Sequence, residues 1–397
     1  MDDLSIYIHI PFCTRRCGYC DFNTYAGLDH LFAEYVDAVC SEIDYFSNVC
    51  EEFGYTGIGS IYFGGGTPSL LPPHLLAKIL ESSTQIGDFL GDLEVTMEVN
   101  PGTVDRDYLS AVYAMGIKRL SIGVQSARQN ELKLLDRLHG YEHAVGVVAD
   151  ARQVGFENIS LDLIYGLPDQ EVEQWAESLI AAMSLEPEHL SLYALSVEPG
   201  TPLEAKVNQN IYPKPDEDLT AEMYEYAVDM LAKNGFTHYE ISNWARKNAD
   251  GELLVSNHNR QYWLNNPYLG IGAGAHGFVG GFRTMNERFP QKYIQMLKDG
   301  TNVQFPRTPA TDDVEEIDSY REMQETIFMG LRLLEEGVSE KRFDRRFGVS
   351  YWDVFASEFQ GLIDKGLLVV DQVNGDERIK MSPNGVFISN QIFVEFV

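Results

Sequence analysis

Six times in the first 235 residues a short β-rich run is followed by an amphipathic one. The runs Leu4–Ile10, Ser60–Phe63, Leu93–Val99, Lys118–Val124, Ile159–Gly166 and His189–Val197 read as strands. Helices are expected over His30–Phe53, from Pro73, from about Val104, over Asn130–Leu138 and Glu142–Val154, over Asp169–Ser184 and over Leu219–Asn234. Strands that alternate with helices pair in parallel through helical crossovers. The fold class is therefore α/β, and in barrel-like sheets of this kind the chemistry gathers where strands end. Glycines, prolines and polar residues collect at those ends here.

From about Thr308 the pattern changes. Glu316–Glu335, Glu340–Phe347 and Tyr351–Lys365 read as helices, and LLVVDQVNGDERIKMS as two strands joined at Asn374-Gly375. The expected division is a β/α core over 1–235, a connecting segment over 236–307 and a winged-helix-like domain over 308–397. Winged helices often sit on DNA, but from Thr308 onward eighteen acidic residues face nine basic ones. The whole chain carries a net charge of -30. Such a field repels nucleic acid and anionic membranes, so a structural or lid role is expected instead. No run of eighteen apolar residues occurs, and the first residues lack the basic start and apolar stretch of a secretory leader. Five cysteines are too few for a disulfide framework, and a reducing, cytoplasmic setting is expected.

Three of those five fall in HIPFCTRRCGYCDF, at Cys13, Cys17 and Cys20. A structural zinc site needs four ligands, and this loop offers three thiols. Cys40 and Cys50 fall on the apolar face of the expected first helix. C-x3-C-x2-C after the first strand of an α/β barrel resembles the radical S-adenosylmethionine (SAM) family. That resemblance implies a partial (β/α)6 radical SAM barrel. It also implies a 4Fe-4S cluster on Cys13, Cys17 and Cys20, whose fourth iron is chelated by SAM. In the family, reductive cleavage of SAM gives a 5′-deoxyadenosyl radical. The resemblance assigns further SAM contacts to Gly65, Gly66 and Thr67 at the second strand end, Glu98 at the third, and Gln125, Arg137 and Asp162 beyond. Tyr7, on the first strand, and Tyr19, between two cysteines, are expected nearby. Arg15 and Arg16 could temper the cluster's charge or simply face solvent.

The stretches IHIPFC, FGGGTPS, EVNPGT, SIGVQS, DLIYGLP and LYALSVEPGTPL are similar to one branch of the family. That branch contains oxygen-independent coproporphyrinogen III oxidase and a heme-chaperone relative. The oxidase carries a further cysteine two residues after the third; here that residue is Phe22. The chaperone carries H-N-x-x-Y-W; here it is His258-Asn259-Arg260-Gln261-Tyr262-Trp263. The implied function is a heme chaperone that delivers heme to hemoproteins, with contact at the periphery of membrane hemoproteins as a further expectation. The alternative is SAM-dependent decarboxylation of coproporphyrinogen III to protoporphyrinogen IX. His258 is the expected heme ligand, with Arg260 on a propionate and Tyr262 and Trp263 against the porphyrin. GIGAGAHG, over Gly270–Gly277, is expected to return to the SAM site and bring His276.

Overall fold

The computed structural model describes residues 3–397. Six strands follow in the expected order: β1 (Leu4–Ile10), β2 (Ile58–Gly65), β3 (Phe89–Val99), β4 (Arg119–Gln125), β5 (Asn158–Tyr165) and β6 (His189–Ala194). Between and after them run α1 (Phe32–Asp44), α2 (Pro73–Ser83), α3 (Arg106–Ala114), α4 (Tyr141–Val154), α5 (Val172–Met183) and α6 (Glu217–Lys233). Each strand pairs in parallel with the next, so all six point their carboxyl ends the same way.

Alternation decides what faces what, because successive side chains on a strand point to opposite faces. Ile6 and Ile8, Ile61 and Phe63, Leu120 and Ile122, and Leu161 and Leu163 join the main apolar core. The intervening positions carry polar groups, and the register aligns them in rows. Tyr7 lies beside Tyr62 and Tyr62 beside Thr96; Glu98 lies beside Ser121 and Ser121 beside Ser160; Gly123 lies beside Asp162 and Asp162 beside Ser191.

The next residues extend this sheet at both edges. β7 (Thr237–Glu240) and β8 (Asn243–Ala245) close the β6 side, β8 pairing antiparallel with both β6 and β7. α7 (Asn257–Trp263) follows, and β9 (Tyr268–Ile271) pairs in parallel with β1. β10 (His276–Val279), β11 (Phe282–Asn286) and, after α8 (Pro290–Asp299), β12 (Thr311–Glu316) add antiparallel strands beyond β9. The result is one 12-stranded sheet.

The remaining residues include α9 (Ser319–Gly330), β13 (Val338–Ser339), α10 (Glu340–Phe347), α11 (Tyr351–Asp364), β14 (Leu368–Val373), β15 (Asp376–Met381) and two short terminal helices, Pro383–Phe387 and Ser389–Phe393. Three helices and a small sheet enclose a separate core of Ile327, Phe343, Tyr351, Phe355, Phe359 and Ile379. The β14–β15 hairpin turns at Asn374-Gly375, both at positive φ, as an Asn-Gly turn of this kind requires.

Three expected helices are shorter than the periodicity suggests; the one over Asn130–Leu138 spans only Gln129–Leu134, with Asp136 beyond it at φ 56°. The one over His30–Phe53 ends at Asp44, and a separate short helix spans Val49–Phe53. Asn48 sits between them in the left-handed region at φ 66°, which no helix continues through. The one over Glu316–Glu335 starts only at Ser319, because Thr311–Glu316 is claimed by the sheet and the Asp318 carboxylate caps Arg321 N–H.

Candidate functional site

The carboxyl ends of the six parallel strands surround one cavity of about 340 Å³. Cys13, Cys17 and Cys20 line it after β1, Gly65, Gly66 and Thr67 after β2, and Glu98 and Asn100 at the end of β3. Gln125 ends β4 and Asp162 lies on β5, while Arg137 and Tyr19 arrive from loops. The structure thus brings together eleven of the sequence-derived site residues: the three cysteines, Tyr19, Gly65, Gly66, Thr67, Glu98, Gln125, Arg137 and Asp162.

The local backbone explains several of these residue types. Gly65 stands at φ 111°, and a Cβ there would meet the His9 ring at 2.4 Å. A Cβ on Gly66 would meet the Phe12 carbonyl at 2.6 Å. The glycines are needed where the cysteine loop leaves β1 and crosses the end of β2. Gln125 is held at φ 68° although it is not glycine, a strained conformation that turns its side chain at the strand end.

All five cysteines are free thiols. Cys13 Sγ accepts from Thr67 Oγ1 at 3.6 Å, and Cys17 Sγ accepts from Arg137 Nη1 at 3.7 Å. Burial pushes the Cys13 and Cys20 thiols above their ordinary value, and neighbouring thiols push the same way. Three thiolates gathered there need cationic charge among them. Among the described residues no three His, Cys, Asp or Glu side chains converge tightly on a single metal ion. Thiolates of an iron–sulfur cluster each hold a different iron, so they line a rim rather than meet at a point. The donor set fits such a cluster.

Beside the thiols lies a ready anchor for a carboxylate. Arg137 donates through Nη2 to Gly123 O at 2.9 Å, yet its buried Nε has no partner. A half-buried guanidinium with a spare donor suits a carboxylate, which accepts in two places. Glu98 accepts from Tyr62 Oη at 3.1 Å and from Gly65 N–H at 3.0 Å. Burial, then the Asp162 charge, lifts its carboxyl to about 7. Asp162 is raised too, chiefly by burial, against hydrogen bonds led by Ser121 Oγ at 2.9 Å. Arg15 lines the cavity but pairs with Asp136 at 3.4 Å.

A second, larger cavity of about 650 Å³ adjoins the first, and Phe22, Gly65 and Glu98 line both. Tyr7 and His276 belong here, not to the cysteine cavity. Tyr7 Oη bonds His9 Nδ1 at 2.9 Å, and its ring stacks near Tyr62. The GIGAGAHG glycines serve the backbone more than a ligand: a Cβ on Gly270 would overlap the His276 carbonyl at 1.8 Å.

His258 lies in neither cavity lining. It is 1% exposed, with Nδ1 on Ser60 Oγ at 2.8 Å and Nε2 on Tyr262 Oη at 2.8 Å. Burial drives its imidazole down to about 3, so it stays neutral. Neither ring nitrogen is open to a metal in this arrangement. Arg260, expected on a propionate, instead pairs with Glu336 of the C-terminal part, Nη2 to Oε2 at 2.6 Å. Tyr262 and Trp263 do reach the second cavity.

Residues 7–180 match the Radical SAM superfamily, and residues 318–388 match the HemN C-terminal domain. The chain is 35% identical over 394 residues to the heme chaperone HemW of Bacillus subtilis, covering 99% of each. This chain belongs to the radical SAM superfamily. Within it the chain falls in the HemN-like branch, beside HemW. It is also 35% identical to the mitochondrial radical S-adenosyl methionine domain-containing protein 1 of Bos taurus, over 92% of this chain and 82% of that one. The solved structure of coproporphyrinogen III oxidase (HemN) from Escherichia coli superposes with a TM-score of 0.80. That match covers 100% of this radical SAM chain and 90% of the other at 22% identity, a likeness of fold.

Several cavity residues escaped the sequence reading, among them Asn100, Ser121, Tyr193 and, most notably, Arg119. Arg119 lines the cysteine cavity and is only 3% exposed, and its buried Nε has no partner. Its signal was register: Arg119, Ser121 and Gly123 share the inward face of β4, while Leu120 and Ile122 face the helices.

Proposed function

We propose that this radical SAM protein holds a 4Fe-4S cluster on Cys13, Cys17 and Cys20, binds SAM across the ends of β2 to β5, and hands heme to acceptor hemoproteins. The supporting observation is the single cavity in which three free thiols, Glu98, Gln125, Arg137 and Asp162 meet. A cluster bound there supplies an open iron position and a reducing electron. Arg137 takes the SAM carboxylate on its spare Nε, Glu98 accepts from the ribose hydroxyls, and Gly65 and Gly66 leave room for the amino group. Tyr19, half-buried beside Arg137, packs near the adenine. The protein acts in the cytoplasm, and no helix among the described residues is long and apolar enough to cross a membrane.

Heme transfer is favoured over porphyrinogen decarboxylation by Phe22. Its ring is 64% exposed where the oxidase has a further cysteine, and it borders both cavities. The relatives named as heme chaperones support the same choice.

Anaerobic reconstitution tests the cluster. About four iron and four sulfide per chain are expected, lost in Cys17→Ala and kept in Cys40→Ala. The reverse pattern would sink the assignment.

A further inference from the structure

Arg119 opens β4 on the inward face of the barrel and lines the cysteine cavity, yet it is only 3% exposed. Its side chain makes no hydrogen bond or ion pair among the described residues, the buried Nε included. A guanidinium does not shed its proton in a protein, so a full positive charge is buried there. Such a charge is strongly destabilising unless an anion balances it.

Three acids on neighbouring strands come into question. Glu94 and Glu98 flank Thr96, which lies beside Arg119 in the register of β3 and β4. Glu94 is committed elsewhere: it accepts from the Asn257 and His258 N–H groups that open α7, at 3.0 and 3.1 Å. Glu98 accepts from Tyr62 Oη and Gly65 N–H. Asp162 has neutral donors only. It accepts from Ser121 Oγ, the next inward residue after Arg119, at 2.9 Å, and from Ser160 Oγ at 3.3 Å. Glu98 and Asp162 line one cavity, where two carboxylates disfavour each other's ionisation. Asp162 helps to raise Glu98, while the charge of Arg119 acts on Asp162 in the opposite sense. The other titratable groups around Arg119 and Asp162 are Tyr62 on β2, His189 and Tyr193 on β6, Tyr239 on β7 and His258 on α7. Burial raises these phenols and lowers these imidazoles, so all five are neutral near pH 7.

We propose that Arg119 is a positioning residue for SAM: it holds Asp162 as the anionic member of the Asp162–Glu98 pair, so that Asp162 stays an acceptor for the ligand while Glu98 carries the pair's last proton. This rests on the reading of the cavity as a SAM site. Arg119 acts through Asp162 and not by touching the ligand, because it stands on the strand below Ser121, away from the strand ends.

The test follows SAM binding by calorimetry from about pH 6 to 9 on the full-length, cluster-reconstituted chain. In the wild type affinity rises through about pH 7, where the pair's last proton leaves. Arg119→Gln removes the cation, so that proton should leave at a pH higher by about half a unit or more, and SAM binding at neutral pH should weaken about threefold or more. Above the new midpoint binding should return toward wild type. Arg119→Lys keeps the charge and should keep the wild-type midpoint. Asp162→Asn should move the midpoint the other way, because Glu98 loses the neighbour that repels it, and adding Arg119→Gln to Asp162→Asn should move it no further. A loss in Arg119→Gln that is equal at every pH would overturn the proposal, as would a lysine variant that behaves like the glutamine one. Failure of Arg119→Gln to hold its cluster, rescued in the double variant, would support it, since removing both charges leaves neither unbalanced. Failure in both would overturn it. No SAM binding by the wild type would overturn the reading of the cavity itself.

Discussion

Arg137 and Glu98 show how single side chains are readied for a ligand. Arg137 enters from a loop, spends Nη2 on the Gly123 carbonyl and keeps Nε free, so its direction is fixed before any ligand arrives. Arg137→Ala should weaken SAM binding by about 1.5–3 kcal/mol, the worth of a hydrogen bond between charged groups. Calorimetry that shows unchanged affinity removes Arg137 from the site. Glu98 is tuned differently. With its carboxyl lifted to about 7 by burial and by Asp162, it is half protonated near neutrality. A protonated carboxyl loses acceptor capacity, so SAM affinity should climb as pH rises through about 7 and fall below it. Glu98→Gln should flatten that profile; an equally steep profile in the variant would assign the titration to another group. These residues were readable in the sequence because each sits at or beyond a strand end. The surroundings of His258 were not readable in the same way. A motif names residue types, while the burial that closes both imidazole nitrogens comes from Ser60 on β2 and Tyr262 one turn along, a contact spanning 198 positions for Ser60.

At the scale of elements, the loop that follows β9 is held by a buried acid on α1. Glu42 is 0% exposed and accepts from Gly272 N–H at 2.8 Å, Asn286 Nδ2 at 2.7 Å, Tyr293 Oη at 2.6 Å and Thr308 Oγ1 at 3.1 Å. One carboxylate thereby ties α1 to the GIGAGAHG loop, β11, α8 and the approach to β12. Removing it leaves several buried donors without a partner, at about 1–3 kcal/mol each. Glu42→Ala should melt well below wild type, with Glu42→Gln between them because the amide keeps one acceptor. A Glu42→Ala melting temperature equal to wild type would mean that the network contributes no net stability. Nothing in the sequence near Glu42 announces this, since an acid on a helix reads as a solvated face. The strands were the legible elements: period-two alternation placed β1 to β6 within a few residues, because each must bury one apolar face beneath helices. β7 to β12 were missed as sheet members, since short strands at sheet edges carry little periodicity and their partners lie far along the chain.

Across the whole molecule, the C-terminal module acts as a wall of the site. Arg260 pairs with Glu336, Arg283 with Glu325, and Arg346 Nη1 donates to Asn265 O at 2.7 Å, so the module is fastened to α7, β11 and the loop between α7 and β9. Met329 of α9 then faces the second cavity. These contacts anchor the acid-rich module to the barrel and place Met329 in the wall of the second cavity. Two adjoining cavities share Phe22, Gly65 and Glu98, one rich in thiols and one in aromatic and sulfur-bearing side chains. Under the proposed function, the thiol-lined cavity would hold the cluster and SAM. The most direct measurement runs two assays on one anaerobic, cluster-reconstituted preparation: hemin titration, and conversion of coproporphyrinogen III in the presence of SAM and a reductant. The account predicts saturable hemin binding and no protoporphyrinogen IX; robust turnover without hemin binding would contradict it.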